Sequence, residues 1–406
     1  MRKRLIFGFW MLLSTTLLAQ TESIVNEIDS FAIPVEQQLP WPQCVQSRLD
    51  SMMRDPLFDN TQLGLMVWDL TDDCPLFSFN KQQLMRPAST MKLLTAITAL
   101  DRLGGNYQYR TSLYYNGEIV GRTLLGDLYC VGGMDPAFDV DDLRLFADAL
   151  KQVGVDTISG TIVTDISMKD TLKWGEGWCW DDDNPDLSPL LVGRKADFVQ
   201  HFCNALVEAD ICLDDVMTTN GVLPSDAVLV CERKRSIDYI LQRMMKDSDN
   251  LYAESMFYQT GASSHRPARA NDAARVARAL IERAGLNSSH YRIADGSGLS
   301  LYNYLSAELE VRILRYTYQH QDIYSHLLPS LPIAGEDGTL KKRMKNTSAA
   351  GNVQAKTGTV TGVSSLAGYC TASNGHRLCF SIMNQGIEKS SDGRAFQDKI
   401  CMILCD

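Results

Sequence analysis

Ser89 and Lys92 are three residues apart in the string Ser89-Thr90-Met91-Lys92, where a helix is predicted to begin. This spacing places the hydroxyl and the amine on one face of the helix. A serine hydroxyl attacks a carbonyl only when a neighbour takes its proton, and a lysine can do so if burial or another cation lowers its pKa. The helix N-terminus would direct backbone N–H groups at a developing oxyanion. The pair predicts a nucleophile with its base, although alone this spacing more often marks a helix cap beside a surface lysine.

Two further strings have the residue types of the same chemistry. Ser-Asp-Asn occupies Ser248–Asn250, and Lys-Thr-Gly-Thr occupies Lys356–Thr359. Each string alone is typical of a turn or of a solvated strand edge. Together they follow Ser89 and Lys92 in a fixed order, on a helix start, a loop beside a helix and a strand. The set is the signature of class A β-lactamases and penicillin-binding proteins, and it predicts one shared active site.

The elements that must position these strings follow from apolar patterning. A helix is predicted to begin after Pro87 and to be ended by the glycine pair Gly104-Gly105, and residues 237–286 have helical spacing. Strands are predicted over 63–70, 76–79, 356–363, 366–371 and 377–383. Between about residues 110 and 221 the pattern changes to short strands with one helix, which indicates a separate lobe.

Length, composition and charge limit the class of protein. A chain of 406 residues with 45% hydrophobic content exceeds what one core usually sustains, which favours two lobes. A formal charge of −10 argues against a nucleic-acid partner, which would need a basic face.

The N-terminus has the pattern of a secretory signal. Three cations at Arg2–Arg4 precede a mostly apolar run over Leu5–Leu18, and Leu17–Gln20 resembles a cleavage site. We expect residues 1–20 to be a removable signal peptide, and the protein to be exported to the periplasm or another extracytoplasmic space. The alternative is an uncleaved anchor, for which the apolar run is short, since a spanning helix needs about 20 residues.

Eleven cysteines in an exported chain permit disulfides, but the number is odd and no pair of close doublets suits structural zinc. A hairpin that turns at Asn374-Gly375 would place Cys370 opposite Cys379, so this pair is the best candidate bridge. The alternative is that both are small core residues.

Several longer strings resemble, in order, segments of the D-alanyl-D-alanine carboxypeptidase/endopeptidase family, the low-molecular-mass class C penicillin-binding proteins. Beyond the three motifs, they cover nearly the whole mature chain. These strings are PASTMKLLTAITAL around Ser89, GDLYCVGGMDPAF around Asp135, GWCWDDD at Trp178, SDNLYAE at Ser248, ADGSGLS from Ala294, LPIAGEDGTLKKR from Leu331 and AKTGTVTGVSSLAGY from Ala355.

The resemblance implies an α/β (α+β) fold of the penicillin-binding and β-lactamase-like transpeptidase type, with an antiparallel sheet flanked by helices and an inserted smaller lobe. The expected catalytic domain is discontinuous, comprising residues 21–110 and 222–406, with the inserted lobe at 111–221. The stretch between Ser89 and Ser248 is shorter than in larger members, so part of their accessory structure is expected to be missing.

The resemblance also implies a mechanism. Ser89 would attack the carbonyl between two terminal D-alanines of a peptidoglycan stem peptide, Lys92 would accept its proton, and an acyl-enzyme would form. Ser248 would relay the proton to the departing D-alanine, and Asn250 would hold the substrate amide and restrain Lys92. Penicillins and other β-lactam antibiotics would acylate the same serine as covalent inhibitors. No cofactor and no metal are required.

Strand residues complete the implied site. Lys356 and Thr357 would bind the terminal carboxylate of the substrate, and the charge of Lys356 would help to keep Lys92 neutral. Gly358 would let the substrate backbone approach the strand. The N–H groups of Ser89 and Thr359 would form the oxyanion hole.

Three acidic residues lie in strings that match the family. Asp135 corresponds to a position where the inserted lobe presents a carboxylate towards the active site, which suits the amine of a diamino-acid side chain; the alternative is a turn aspartate before proline. Asp295 and Asp337 lie in turn strings, and for both we favour a structural role.

Two other functions are compatible with parts of the pattern. A serine β-lactamase would need a Glu-x-x-Leu-Asn string, and Glu282–Asn287 is one residue too long for it, in a segment that a helix C-terminus explains. A catalytically silent cell-wall-binding protein would not need Ser89, Lys92, Ser248 and Lys356 together. We therefore favour the carboxypeptidase or endopeptidase.

Overall fold

The structure is a computed structural model that describes residues 39–181 and 184–406. The predicted signal peptide lies outside these residues. The chain divides after Ser47 into two units. The described part of the first unit, residues 39–47, contains the start of the first helix, and the second unit is Arg48–Asp406. Within the described ranges, no helix combines the length and the apolar character that a membrane span requires.

Ten α-helices and twelve β-strands make up the described chain. The helices are α1 (Gln43–Met52), α2 (Met91–Leu103), α3 (Val140–Gln152), α4 (Phe198–Glu208), α5 (Ile237–Lys246), α6 (Asn250–Ala262), α7 (Ala270–Arg283), α8 (Ala307–Gln319), α9 (Gln321–Ser330) and α10 (Ser390–Cys405). The strands are β1 (Gln62–Asp69), β2 (Cys74–Phe79), β3 (Gln108–Val120), β4 (Thr123–Val131), β5 (Thr157–Ser159), β6 (Thr161–Asp165), β7 (Cys212–Leu213), β8 (Met217–Asn220), β9 (Val228–Ser236), β10 (Gln354–Val360), β11 (Val363–Thr371) and β12 (Arg377–Gln385).

The first sheet is antiparallel throughout and has the order β10-β11-β12-β1-β2. Helices cover both of its faces. Because side chains alternate along a strand, Tyr369 of β11 points to one face, where its hydroxyl donates to the Leu314 carbonyl of α8. Ser364 of the same strand points to the other face, where it accepts from Gln397 of α10. Because both faces are covered, β11 and β12 are buried along nearly their whole length.

The second sheet has seven strands and lies in the middle of the sequence. Its main path is β7-β5-β4-β3-β9, with β6 paired to β4 and β8 paired to β6. It extends from Gln108 to Ser236, beyond both ends of the predicted lobe 111–221. Phenylalanines of α3 and α4 form part of a core of its own, with Phe146 and Phe202 at a ring separation of 6.4 Å. The division into a discontinuous catalytic domain and an inserted lobe stays a prediction.

The predicted bridge between Cys370 and Cys379 is wrong for this structure. Cys379 lies opposite Tyr369, and Cys370 lies opposite Leu378. The hairpin has a three-residue loop, Ser373–Gly375, closed by the Ala372–His376 hydrogen bond, rather than a two-residue turn. A shift of one residue places the two cysteines on opposite faces of the sheet. Both thiols are free and buried, which agrees with the alternative interpretation as core residues.

Candidate active site

Ser89 lies in a tight 3-10 turn, Ala88–Thr90, that leads directly into α2. Ala88 has a φ of 50°, a conformation that non-glycine residues rarely adopt. The turn is held by its neighbours: Ser365 of β11 and Thr90 donate from their hydroxyls to the Pro87 carbonyl at 2.6 and 2.8 Å. From its start to Leu100, α2 is buried. The predicted helix start therefore gives Ser89 a rigid support, and strain at this position is typical of a functional site.

Lys92 is buried beneath Ser89 and is 0% exposed. Its Nζ lies 3.1 Å from Ser89 Oγ, 2.8 Å from Asn250 Oδ1 and 2.7 Å from the Ser297 carbonyl oxygen. These contacts bring the first and second motifs together. The amine is close enough to the serine hydroxyl to exchange a proton with it.

Burial is the main electrostatic influence on Lys92. It lowers the pKa of the amine to about 8, whereas the charges of Asp295, Glu254 and Asp249 act in the opposite direction. The expected contribution of the Lys356 charge is not among these causes. Desolvation is thus the largest cause of the lowered pKa of Lys92.

Ser248 and Lys356 connect the second motif to the third. Lys356 Nζ donates to Ser248 Oγ at 2.8 Å and to the Thr357 carbonyl at 2.7 Å. Ser248 has a φ of 61°, a left-handed conformation in the loop before α6. Burial, followed by the charge of Lys92, lowers the pKa of Lys356 well below its usual value. No carboxylate neutralises this amine among the described residues, so an arriving anion would stabilise its charged form.

Asn250 is the first residue of α6, and its position depends on the helix cap. The carboxylate of Asp249 accepts from the N–H groups of Leu251 and Tyr252. Arg194 holds the same carboxylate with two hydrogen bonds, at 2.6 and 3.2 Å. The middle segment of the chain therefore supports the second motif directly.

The third motif lies on β10, at the edge of the first sheet. Gly358 is crowded: a Cβ there would lie 2.2 Å from Ser365 Oγ, 2.7 Å from the Pro87 carbonyl oxygen and 3.0 Å from Ser89 N. The strand and the turn Ala88–Thr90, which contains Ser89, can meet because Gly358 lacks a side chain. This close approach is a reason for glycine that the sequence prediction did not include. Thr359 is exposed.

Thr357, which is half-buried, has a hydroxyl partner from another loop. Its Oγ1 lies 2.8 Å from Thr339 Oγ1. The loop that contains Thr339 is held by Asp337, which accepts from Lys246 Nζ at 2.6 Å and from the Ile333 N–H at 2.8 Å. These bonds agree with the structural role expected for Asp337.

The loop Asp295–Gly298 lies next to Lys92, although the sequence predicted only a structural role for Asp295. Asp295 accepts from the N–H groups of Gly298 and Ser300, from the Asn303 amide and from Trp178 Nε1 at 2.8 Å. The adjacent carbonyl of Ser297 is one of the three contacts of Lys92. A backbone acceptor has no residue-type signature, so the sequence could show this loop as a turn but not as a partner of Lys92.

Asp135 is not among the residues that contact Ser89 or Lys92 in the described chain. Its carboxylate is 2% exposed, lies 3.3 Å from Arg235 Nε and accepts from the Ala137 N–H. This arrangement favours the alternative interpretation, a turn aspartate, and its role in binding substrate stays a prediction.

One group of possible metal ligands occurs in the described ranges, Asp69, Asp72 and His376. His376 Nδ1 lies 2.7 Å from Asp69 Oδ2, an ion-pair geometry that connects the end of β1 to the loop before β12. The bond between strand ends is a sufficient explanation for this group. Among the described residues, the side chains that contact Ser89 and Lys92 form no second group of this kind.

Sequence comparison identifies the family. The profile of the D-Ala-D-Ala carboxypeptidase 3 (S13) family matches residues 45–193 and 187–405. The chain belongs to the D-Ala-D-Ala carboxypeptidase 3 (S13) family. As an S13 carboxypeptidase it is a serine peptidase, and the resemblance drawn from its motifs is confirmed.

Curated relatives of this S13 family member have matching descriptions. It is 26% identical to a D-alanyl-D-alanine carboxypeptidase of Actinomadura sp. (strain R39), over 88% of this chain and 84% of the relative. It is 25% identical to the D-alanyl-D-alanine carboxypeptidase DacB of Haemophilus influenzae, over 89% of this chain and 93% of the relative.

Solved structures confirm the fold. The crystal structure of penicillin binding protein 4 (dacB) from H. influenzae superposes with a TM-score of 0.77 at 22% identity and covers 88% of this S13 family member and 97% of that chain. The same protein complexed with a β-lactam gives a TM-score of 0.73. The predicted α/β fold, an antiparallel sheet flanked by helices, is therefore confirmed.

Proposed function

We propose that this S13 family member is a D-alanyl-D-alanine carboxypeptidase that cleaves peptidoglycan stem peptides through an acyl-enzyme on Ser89. The observation that carries the proposal is the environment of Lys92 Nζ, 3.1 Å from Ser89 Oγ. Its other two partners, Asn250 Oδ1 and the Ser297 carbonyl, can only accept hydrogen bonds. A neutral amine has two N–H groups and one lone pair. Both N–H groups go to these acceptors, so the lone pair is directed at the Ser89 hydroxyl.

Acylation then follows from the geometry. Ser89 Oγ attacks the carbonyl carbon between the two D-alanines while Lys92 takes its proton. The C–N bond breaks, the terminal D-alanine leaves as an amine, and the peptide remains as an ester on Ser89. Ser248 lies 2.8 Å from Lys356 Nζ and would relay a proton to the departing nitrogen. Water hydrolyses the ester in the second half of the reaction.

Lys356 and Thr357 would bind the terminal carboxylate. In the free enzyme burial favours the neutral form of Lys356, because it lowers the pKa of the amine. A bound carboxylate would provide the missing countercharge and favour the ammonium form. This coupling makes the free carboxylate of the substrate a requirement for a fully formed site.

The oxyanion would be stabilised by the N–H groups of Ser89 and Thr359. The crowding of Gly358 against Ser89 N supports this role, because it brings β10 next to the nucleophile turn. Each such donor is typically worth about 3 to 4 kcal/mol in the transition state.

Two observations favour a peptidase over a β-lactamase. Glu282 is exposed on the last turn of α7 and is followed by Gly285 with a φ of 84°, the helix C-terminus expected there. Its carboxylate accepts from Ser288 Oγ at 2.8 Å. It is therefore engaged with the 3-10 turn that follows its helix and does not serve as the base that hydrolyses a penicilloyl ester.

Benzylpenicillin tests the proposed nucleophile. The intact mass of the mature chain should increase by one drug molecule, the Ser89→Ala variant should show no adduct, and the control Ser373→Ala, at an exposed serine, should be acylated like the parent. Rapid loss of the drug without an adduct would indicate a β-lactamase. Neither an adduct nor turnover would indicate a binding protein.

The substrate is tested with a stem pentapeptide that ends in D-Ala-D-Ala, by measuring free D-alanine. We expect release by the parent and none by Ser89→Ala. A cross-linked peptide dimer in a parallel reaction measures D,D-endopeptidase activity, which the same residues can support. Export belongs to this proposal as well, and N-terminal sequencing of the mature protein should find a start near Thr21.

A further inference from the structure

Glu254 is a buried carboxylate that the proposed mechanism does not use. It is 1% exposed and lies on α6, one helical turn after Asn250. Its Oε1 accepts from the backbone N–H groups of Gly296 at 3.1 Å and Ser297 at 2.8 Å. Residues four apart share a helix face, so one face of α6 presents Asn250 to Lys92 and Glu254 to the loop that also contacts Lys92.

The Asp295–Gly298 loop lies between Glu254 and the base. Its N–H groups bond to Glu254, and its carbonyls bond to α2: Ser297 accepts from Lys92 at 2.7 Å and Gly296 accepts from Thr95 at 2.6 Å. The loop also packs closely on α6, because a Cβ on Gly296 would lie 2.4 Å from Phe257 Cβ. The residues on either side of the Ser297 carbonyl bond are thus held against α6, in addition to the bonds that Asp295 makes within the loop.

We infer that Glu254 is a positioning residue for the base: it holds the Asp295–Gly298 loop through two backbone N–H groups and so aims the Ser297 carbonyl at Lys92. This inference rests on the proposed function, in which Lys92 takes the proton of Ser89. One helix then contributes to the position of both groups that accept from Lys92. Asn250 belongs to α6, and the Ser297 carbonyl is held through Glu254 of the same helix. Without the second acceptor the amine can rotate, and its lone pair is no longer fixed on the hydroxyl.

The charge of Glu254 gives this role a measurable signature. A negative Glu254 favours the protonated form of Lys92, and burial raises the pKa of Glu254 itself to about 8. Asp295 and Asp249 act on Lys92 in the same direction as Glu254. Lys356 also faces Lys92, and the charge of Lys92 lowers the pKa of Lys356.

Three titratable groups of the described chain also act on Glu254 or are acted on by it. They are Asp295, in the loop that Glu254 holds, Lys169, from the segment after β6, and Tyr258, one turn further along α6. A substitution at Glu254 leaves all three in place. Removal of the Glu254 charge therefore changes a single charge in the environment of the base, and it lowers the pKa of Lys92.

The experiment measures the second-order rate constant for acylation by benzylpenicillin between pH 5.5 and 10. Glu254→Gln keeps an oxygen acceptor for both N–H groups but has no charge. Because the pKa of Glu254 is itself about 8, the parent carries this charge only near and above that pH. We therefore expect the upper part of the rising limb to reach its plateau at a pH lower by about 0.5 unit, with a plateau rate within about threefold of the parent. Glu254→Ala leaves two buried N–H groups without an acceptor, and its rate should fall about tenfold or more at every pH.

Glu308→Gln is the matched control, since it neutralises another buried carboxylate, one paired with Lys81 at 2.8 Å. Its pH limb should coincide with that of the parent. If the pH limb of Glu254→Gln does not move, or if Glu308→Gln shows an equal shift, the inference is overturned. Acylation of the parent on Ser89 would in that case still support the proposed function. A parent that is not acylated on Ser89 would overturn the proposed function and this inference with it.

Discussion

Lys356 of β10 donates a hydrogen bond of 2.8 Å to Ser248, in the loop before α6. The bond joins the third motif to the second. Lys92 makes the other connection, from the first motif to Asn250. Two lysine amines thus tie together three segments that are far apart in the sequence, and substitutions at and around them should change catalysis in distinct ways.

Lys356→Ala should remove the proposed partner of the substrate carboxylate. Because truncation of one member of a buried charge pair costs about 2 to 5 kcal/mol, we expect kcat/KM for D-alanine release to fall at least about 30-fold. Steady-state release from a D-Ala-D-Ala pentapeptide measures the effect. Lys342→Ala, at an exposed lysine, is the control and should behave like the parent; an equal loss there would remove the support for a specific role of Lys356.

The pH dependence of acylation should report the ionisation of Lys92. A base must be neutral, and burial lowers the pKa of this amine to about 8. The rate constant should therefore rise with pH, about tenfold per unit below pH 8, and level off above it. Stopped-flow acylation across the pH range measures the limb. A profile that is flat between pH 6 and 9 would contradict Lys92 as the base.

Gly358→Ala should separate β10 from the turn Ala88–Thr90 that contains Ser89. The added carbon would lie 2.2 Å from Ser365 Oγ and 2.7 Å from a backbone oxygen, so the strand or the turn must move. We expect acylation to fall about 10- to 100-fold, since displacements of about 1 Å have such effects on catalysis. Gly64→Ala on β1 of the same sheet is the control, because its nearest neighbour is the flexible Met85 side chain at 3.1 Å. Equal losses in both variants would show that any added carbon in this sheet is harmful.

Trp178→Phe should destabilise the loop that contacts Lys92. The substitution removes the Nε1 hydrogen bond of 2.8 Å to the buried Asp295. The free energy of unfolding should decrease by about 1 to 3 kcal/mol, measured by chemical denaturation. Trp180→Phe, two residues away and 83% exposed, should change it by less than about 0.5 kcal/mol. Similar values for the two variants would argue that the Trp178 bond contributes little.

Asp135→Asn separates the two interpretations of this residue. If the carboxylate serves mainly to pair with Arg235, the melting temperature should fall and activity on peptides with and without a free side-chain amine should fall by the same factor. Asp141→Asn, in an exposed ion pair with Arg144, should leave both quantities unchanged. A loss confined to amine-bearing peptides would instead support the substrate-binding role.

The sequence was sufficient for the elements that carry the motifs. The predicted helix after Pro87 ends at Leu103, followed by Gly104 with a φ of 83°, as the glycine pair indicated. The strand with the third motif begins two residues earlier than expected, at Gln354, and ends at Val360. A turn that contains Gly362 then leads into β11. Local signals of this kind act over a few residues, and a sequence displays them directly.

Register was harder to predict, and the cysteines show why. The string Asn374-Gly375 favours a two-residue hairpin turn, but Gly375, with a φ of 89°, ends a three-residue loop. The choice between the two depends on how β11 and β12 pack between α8 and α10. One residue of difference reverses which face each cysteine occupies.

From the sequence alone came the predicted nucleophile Ser89, its lysine, the two partner motifs, the fold class and the family, because these depend on residue types at fixed local spacings. Tertiary structure decided the environment of Lys92. The burial that lowers the pKa of Lys92, the Ser297 carbonyl that accepts from it and the carboxylate of Glu254 behind that carbonyl all arise from contacts between segments distant in the chain. Residue types do not indicate desolvation or backbone acceptors, since any residue can supply a carbonyl and only packing excludes water.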